Sequence, residues 1–243
     1  MRLRASWLAA GVLLAVALAA CSSGKPSASP SPPMSSDSPA PGSAEGEWRT
    51  LFDGTSLDAW RGYRLDSVPV GWQLVDGALT RVSGGGDLIT RAQFGDFELA
   101  LEWKVVEGGN SGIMYRVTED AGATYESGPE MQVLDDEGHA DGKSRLTAAG
   151  SLYGLYAAPA GVVKPAGAWN AVRIVAHGRH VEHWLNGVKV VECEIGSSDW
   201  EAKVAASKFQ ASPRFGRAAS GHIALQDHGD RVAYRDIRIR SLR

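Results

Sequence analysis

Phe97-Glu98-Leu99-Ala100-Leu101-Glu102-Trp103-Lys104-Val105 sets large apolar residues against charged or small ones in strict alternation. Strand side chains point to opposite faces in turn, so this pattern describes a strand with one face in a core and one in water. Val172/Ile174, Ile223/Leu225 and Ile237/Ile239 repeat the alternation elsewhere. Between these runs fall Asp53-Gly54, Asp76-Gly77, Gly108-Gly109-Asn110 and Asn186-Gly187, the dipeptides that favour tight turns. Many short strands at such spacing, with no regular interleaving of helices, predict an all-β domain. The expected architecture is a jelly-roll sandwich of two antiparallel sheets. One short helix is expected near residues 199–208, where Ser198 and Glu201 form a capping box and Trp200, Val204 and Lys208 share a stripe. That stripe puts Lys208 on the face docked against a sheet.

The chain ahead of this domain has a different character. Arg2 and Arg4 precede an apolar run, Leu8 to Leu18, too short to span a bilayer comfortably. Leu18-Ala19-Ala20-Cys21 then resembles the lipobox of bacterial lipoproteins. Residues 1–20 are thus expected to be a signal peptide, and Cys21 the lipidated first residue of an exported, envelope-anchored protein. Residues 21–46 are Ser, Pro, Ala and Gly with almost no large apolar residue, a composition that predicts a disordered tether. Residues 47–243 remain, enough for one sizeable β domain. Only Cys193 lies in it, in step with Val191 and Ile195, and is expected to be a buried small hydrophobe. With Arg2 and Arg4 set aside, 23 basic residues stand against 28 acidic ones without basic clusters, which argues against a nucleic-acid partner.

Some strands carry polar residues where packing alone would not ask for them. In Gly128-Pro129-Glu130-Met131-Gln132-Val133-Leu134-Asp135, Met131 and Val133 face one way while Glu130 and Gln132 lie side by side on the other. In His222-Ile223-Ala224-Leu225-Gln226-Asp227-His228, Gln226 and His228 share the face opposite Ile223 and Leu225. Two such pairs on separate strands predict the floor of a polar cleft. Arg116 ends the strand-like Ser111–Tyr115 run and offers a planar fork of donors. His183 shares parity with Val181 and Leu185, which fits either a hydrogen-bonded core histidine or a cleft residue. His139 and Asp141, two apart in a loop, can pair as acid and base or ligate a metal.

Leu51-Phe52-Asp53-Gly54-Thr55-Ser56-Leu57-Asp58-Ala59-Trp60 resembles the opening signature of the bacterial 3-keto-disaccharide hydrolases, also described as 3-keto-glucoside 1,2-lyases/3-keto-2-hydroxy-glucal hydratases. Gly95–Leu99, Gly109–Ile113, Gly128–Asp135, His183–Gly187 and Ile223–Gly229 match the same family in order. The resemblance covers essentially Trp48 to Arg243 and implies a concanavalin-like sandwich with a sugar-sized cleft. It also implies a chemistry. A ketone at carbon 3 acidifies the hydrogen on carbon 2, so a base can form an enolate and the group on carbon 1 leaves by β-elimination; water then adds back. Such a route needs a base, a proton donor and a positive charge or donors near the enolate oxygen. His183 and His228 are candidates for the first two roles, with Glu130 a rival for either. Arg116 or Lys208 can stabilise the enolate, and Gln132, Gln226 and Tyr153 can bind substrate. No obligate cofactor is expected, although a divalent cation on Glu130, with His139 and Asp141 as further ligands, can replace the side-chain cation. A separate sugar 3-oxidoreductase must supply the 3-keto substrate.

Two other readings share this fold. Glu130-x-Gln132-x-x-Asp135 echoes the E-x-D-x-x-E strand of laminarinase-like glycosidases. A retaining pair, however, needs carboxyls about 5 Å apart, whereas five residues of strand span roughly 16 Å and reverse the face. A non-catalytic carbohydrate-binding protein is the other reading, with Trp60, Trp72 and Trp184 as sugar-stacking platforms.

Overall fold

The computed structural model describes residues 46–243, so the expected signal peptide, Cys21 and nearly all of the expected tether lie outside the described residues. The strands run β1 (Arg49–Phe52), β2 (Trp60–Gly62), β3 (Trp72–Val75), β4 (Ala78–Arg81), β5 (Leu88–Thr90), β6 (Phe97–Val105), β7 (Asn110–Val117), β8 (Glu130–Leu134), β9 (Asn170–His177), β10 (His180–Leu185) and β11 (Val188–Glu194). The helix α1 (Ser198–Ala205) follows, then β12 (His222–Leu225) and β13 (Val232–Ser241). The larger sheet is ordered β11-β10-β9-β6-β13-β4-β3, with β1 also pairing β13, and the smaller is β2-β5-β12-β7-β8. Every strand pairing is antiparallel. This is the sandwich of two antiparallel sheets expected from the alternation.

The strand that decided the reading, β6, lies between β9 and β13 in the larger sheet. Its Leu99, Leu101 and Trp103 are buried against the inward Ile113, Tyr115, Met131, Val133, Ile223 and Leu225 of the smaller sheet. Each such side chain contributes about 1.5–3 kcal/mol of burial, which makes the inter-sheet layer the main source of stability. The outward residues of β6 are tied up in charge pairs: Arg240 with Glu98, and Arg235 with Glu102 at 2.5 Å. Lys104 and Arg235 both sit on the ring of Trp169, at 4.7 and 4.2 Å. Around β6 and β13 the outer face of the larger sheet is therefore a charged, internally compensated surface.

Two details of the fold depart from expectation. The helix begins one residue earlier in capping terms, since Ser197 rather than Ser198 accepts the Trp200 N–H (3.1 Å). It also ends at Ala205, and Lys208 opens a separate 3-10 turn, Lys208–Ala211, capped by Ser207. Lys208 thus reaches the smaller sheet from a turn and not from a helical stripe. Cys193 is buried as expected, and burial pushes its thiol up to about 12, where it is chemically inert.

Candidate active site

Glu130 and Gln132 stand on the outer face of β8, as their parity requires, while Met131 and Val133 enter the core. Opposite them on β7 are Met114, paired with Glu130, and Gly112, paired with Gln132. Gly112 matters because it has no side chain. The Glu130 carboxyl lies over it so closely that a Cβ there would come 2.1 Å from Oε1. The other flank of β8 is closed by residues 150–156: Tyr153 N–H donates to the Glu130 carbonyl (3.0 Å) and Gln132 N–H to the Ser151 carbonyl (3.1 Å). These bonds bring the Tyr153 side chain up beside Glu130.

The Glu130 carboxyl is only 5 % exposed as a residue, and none of the described residues donates a hydrogen bond to it. Burial therefore dominates and pushes its pKa up to about 8; the Lys208 ammonium pulls it down, and Asp87 and Asp141 push it further up. Lys208 Nζ rests 4.2 Å from the centre of the Tyr153 ring and 5.8 Å from that of Tyr125. The Tyr153 hydroxyl donates to Asp141 (3.2 Å), and burial together with the Asp141 charge holds it up to about 12, so it stays protonated.

Around this carboxyl are polar atoms with nothing to bind. Both amide atoms of Gln132, the Oε1 of Gln226 and the Oδ1 of Asn110 are buried without a hydrogen-bond partner. Leaving such atoms unpaired costs about 1–3 kcal/mol each. His228 lies at the rim with its Nε2 3.5 Å from Asn110 Nδ2 and its ring edge-on to His139, centres 6.3 Å apart. Asp87 sits beneath, accepting the Asp227 N–H (2.8 Å) and the Thr124 hydroxyl. Burial raises its pKa, with those two bonds opposing. Glu130, Gln132, Tyr153, Lys208, Gln226 and His228 are thus brought to one face.

Other sequence candidates lie elsewhere. Arg116 is withdrawn from that face by a bulge: the β7–β12 register slips between His222 and Ala224, and Arg116 takes a left-handed φ of 54°. Its guanidinium turns to the sandwich edge, donating to the Gly95 carbonyl and to Asp96, both at 3.2 Å. These contacts hold it apart from the Glu130 face. His183 is fully buried between the sheets, on the larger one, bonded to the Tyr115 hydroxyl (3.1 Å) and the Gly150 carbonyl (3.3 Å). In the fold it is a hydrogen-bonded core histidine, set apart from the Glu130 face. The suggested metal set is not assembled either: His139 Nδ1 accepts the Asp141 N–H (3.1 Å), and Asp141 is engaged by Tyr153. Among the described residues, His180, Glu182 and Glu192 do converge within 4.8 Å, but Lys189 Nζ already lies 2.5 Å from Glu192 and 3.2 Å from Glu182. Trp60 and Trp72 are core residues, and Trp184 is stacked under Arg173 (4.1 Å) on the far sheet, so none is a platform for this cleft. Asp135 accepts the Gly108 N–H (2.8 Å), apart from Glu130, in the wall of a separate cavity of about 700 Å³ beside Val106, Pro165 and Arg231. Asp87, Asn110 and Tyr125 join the site without having been read from the sequence; they stand at strand ends and on a turn, where parity gives no signal.

Two predictions arise here. Gly112→Ala is expected to leave the protein folded at a cost of about 1–3 kcal/mol, because the new Cβ would meet Glu130 Cδ at 2.7 Å and Cγ at 2.9 Å as well as Oε1, so the whole side chain must shift. It should nevertheless lower kcat/KM on the enzyme's substrate by about 10- to 100-fold, since misplacing a reacting group by an ångström has that effect. Circular dichroism melts and steady-state kinetics on one preparation check both halves. For His183, burial lowers the pKa to about 4 from 6.5. The unfolded chain therefore takes up this proton first as pH falls from 6.5 to 4, and stability is lost over that window, by up to on the order of 3 kcal/mol. The stability gap between the protein and His183→Gln in urea titrations should narrow by that amount across the window.

The sequence profile of the 3-keto-alpha-glucoside-1,2-lyase-like domain family matches residues 47–240. A 3-keto-disaccharide hydrolase of Bacteroides thetaiotaomicron is 36% identical over 225 residues, covering 79% of this chain and 78% of that protein. A crystal structure from Parabacteroides distasonis, provisionally assigned to the glycosyl hydrolases, superposes with a TM-score of 0.75 at 32% identity, covering 82% of this chain and 94% of that one. A second from the same organism, likewise provisionally assigned, gives 0.66 at 30% identity, with 80% and 99% coverage. Through the extent of these matches and the sandwich that carries them, this chain belongs to the 3-keto-alpha-glucoside-1,2-lyase-like domain family.

Proposed function

We propose that the protein cleaves 3-keto-glycosides, 3-keto-disaccharides among them, by taking the proton from carbon 2 and expelling the group on carbon 1. The observation that carries this reading is the Glu130 carboxyl, buried, unbonded and held near pKa 8 beside the Lys208 ammonium. A carboxylate of that pKa is a far stronger base than an exposed one, and its ionisation falls just above neutral pH. Glu130 breaks the C2–H bond by taking the proton, which then exchanges with solvent before carbon 2 is reprotonated. The electrons move onto the carbonyl oxygen, where Lys208 stabilises the enolate. As the enolate collapses the C1–O bond breaks, and His228 hands a proton to the leaving oxygen. Gln132 and Gln226, with their unpartnered amide atoms, hold ring hydroxyls. Addition of water at carbon 1 and return of a proton to carbon 2 complete a net hydrolysis.

The relatives' family supports action on such sugars, and the 3-ketone itself must come from an oxidoreductase acting earlier. Incubation with 3-keto-lactose or 3-keto-trehalose tests the reading: release of the free aglycone sugar is expected, and binding without release would point to a carbohydrate-binding protein. We also propose that Cys21 anchors the protein to the envelope. A Cys21→Ser variant should then move from the membrane to the soluble fraction.

A further inference from the structure

We infer that Tyr125 is a stacking platform for the leaving sugar and sets the preference of this cleft for a sugar over a small leaving group. The inference rests on the elimination reading for its placement of the oxidised ring. A base that removes the hydrogen from carbon 2 must lie beneath that ring, which puts the 3-keto sugar over Glu130 and beside Lys208. The substituent on carbon 1 then extends from the floor towards the rim. Tyr125 flanks the same ammonium, its ring centre 5.8 Å from Lys208 Nζ.

Its exposure is what calls for an explanation. Tyr125 is 44% exposed, and the one other aromatic among the strongly exposed large hydrophobics of the described residues, Trp48, lies just before β1 under Arg238 and Arg240. Tyr125 is also held firmly. It belongs to the 3-10 turn Thr124–Glu126, whose Thr124 is fully buried and bonded to Asp87 through its hydroxyl. The Thr124 carbonyl accepts the Gly128 N–H (2.9 Å), closing the turn. A rigid aromatic face left open beside a polar cleft suits a pyranose, whose C–H face is apolar while its hydroxyls radiate outward. A methyl or other small leaving group would gain nothing from it.

The test compares 3-keto-lactose with methyl 3-keto-glucoside in the wild type, Tyr125→Ala and Tyr125→Phe. The ratio of kcat/KM for the disaccharide to that for the methyl glycoside should fall about tenfold in Tyr125→Ala and recover in Tyr125→Phe, which keeps the ring. An unchanged ratio overturns the inference, whether both substrates slow together or neither does. If the wild type turns over neither substrate, the elimination reading fails on its own account. Titration with unoxidised lactose then decides the platform separately: about tenfold weaker binding by Tyr125→Ala supports it, and equal Kd values refute it.

Discussion

Glu130→Gln is expected to lower kcat/KM on a 3-keto-disaccharide by about 10³-fold, the usual loss on removing a general base, while leaving the protein folded. The amide has the shape of the acid but cannot take a proton from carbon. Stability should move the opposite way from activity. In the folded protein the Glu130 carboxyl holds its proton to a pKa of about 8, against an ordinary 4.5. Below pH 4.5 both states carry that proton. Between 4.5 and 8 the unfolded chain releases it first, so this group's contribution to stability falls as pH rises, by roughly 1.4 kcal/mol per unit. The glutamine variant has no such slope and should gain on the wild type across that window, by at most on the order of 5 kcal/mol. Urea titrations at several pH values read the gap directly. From pH 4.5 to 6.5 the Glu130 slope opposes that of His183, so only the difference between variant and wild type isolates it. A variant that is both less stable and fully active would remove Glu130 from the mechanism.

Lys208→Met should give the second largest effect, about a 10²-fold loss in kcat, as for removal of one donor from an oxyanion site. A second readout separates this role from mere packing. The Lys208 charge pulls the Glu130 pKa down, so its removal lets that pKa climb beyond about 8. If Glu130 acts as the base, kcat/KM rises with pH to a plateau as the carboxyl ionises, and in Lys208→Met the midpoint of that rise should shift upward. Loss of rate with an unmoved midpoint would place Lys208 away from Glu130. Loss of rate recovered by Lys208→Arg, with the midpoint restored, would identify the positive charge as what matters.

The sandwich was legible because burial on one face imposes parity, and parity is visible in Phe97–Val105, Glu130–Leu134 and Ile223–Leu225 without any knowledge of the partner strands. The same rule put Glu130 and Gln132 side by side on β8 and set Asp135 apart, whereas Gln226 and His228 lie beyond the end of β12 at Leu225, where parity no longer governs. It failed where its assumptions did. Arg116 stands at a bulge, which adds a residue and resets the face. His183 was read correctly as pointing inward, but inward from the larger sheet means the dry layer between the sheets, where a histidine is a hydrogen-bonded neutral group. Tyr125 and Asp87 were invisible for a different reason. They flank turns and strand ends, and only the folded chain brings them within reach of Glu130 and Lys208. Gly112 was part of a matched block, yet nothing in the sequence said that its missing side chain makes room for the Glu130 carboxyl.

The central claim is that a proton leaves carbon 2 before the glycosidic bond is cleaved. Turnover of methyl 3-keto-glucoside in D₂O, followed by proton NMR against an enzyme-free control, tests this most directly. Elimination predicts that the C2 hydrogen disappears: deuterium replaces it in the hydrated keto-sugar, and the glucal has no hydrogen there. Release of methanol with the C2 hydrogen fully retained would mean that water attacks carbon 1 directly, and would contradict the account.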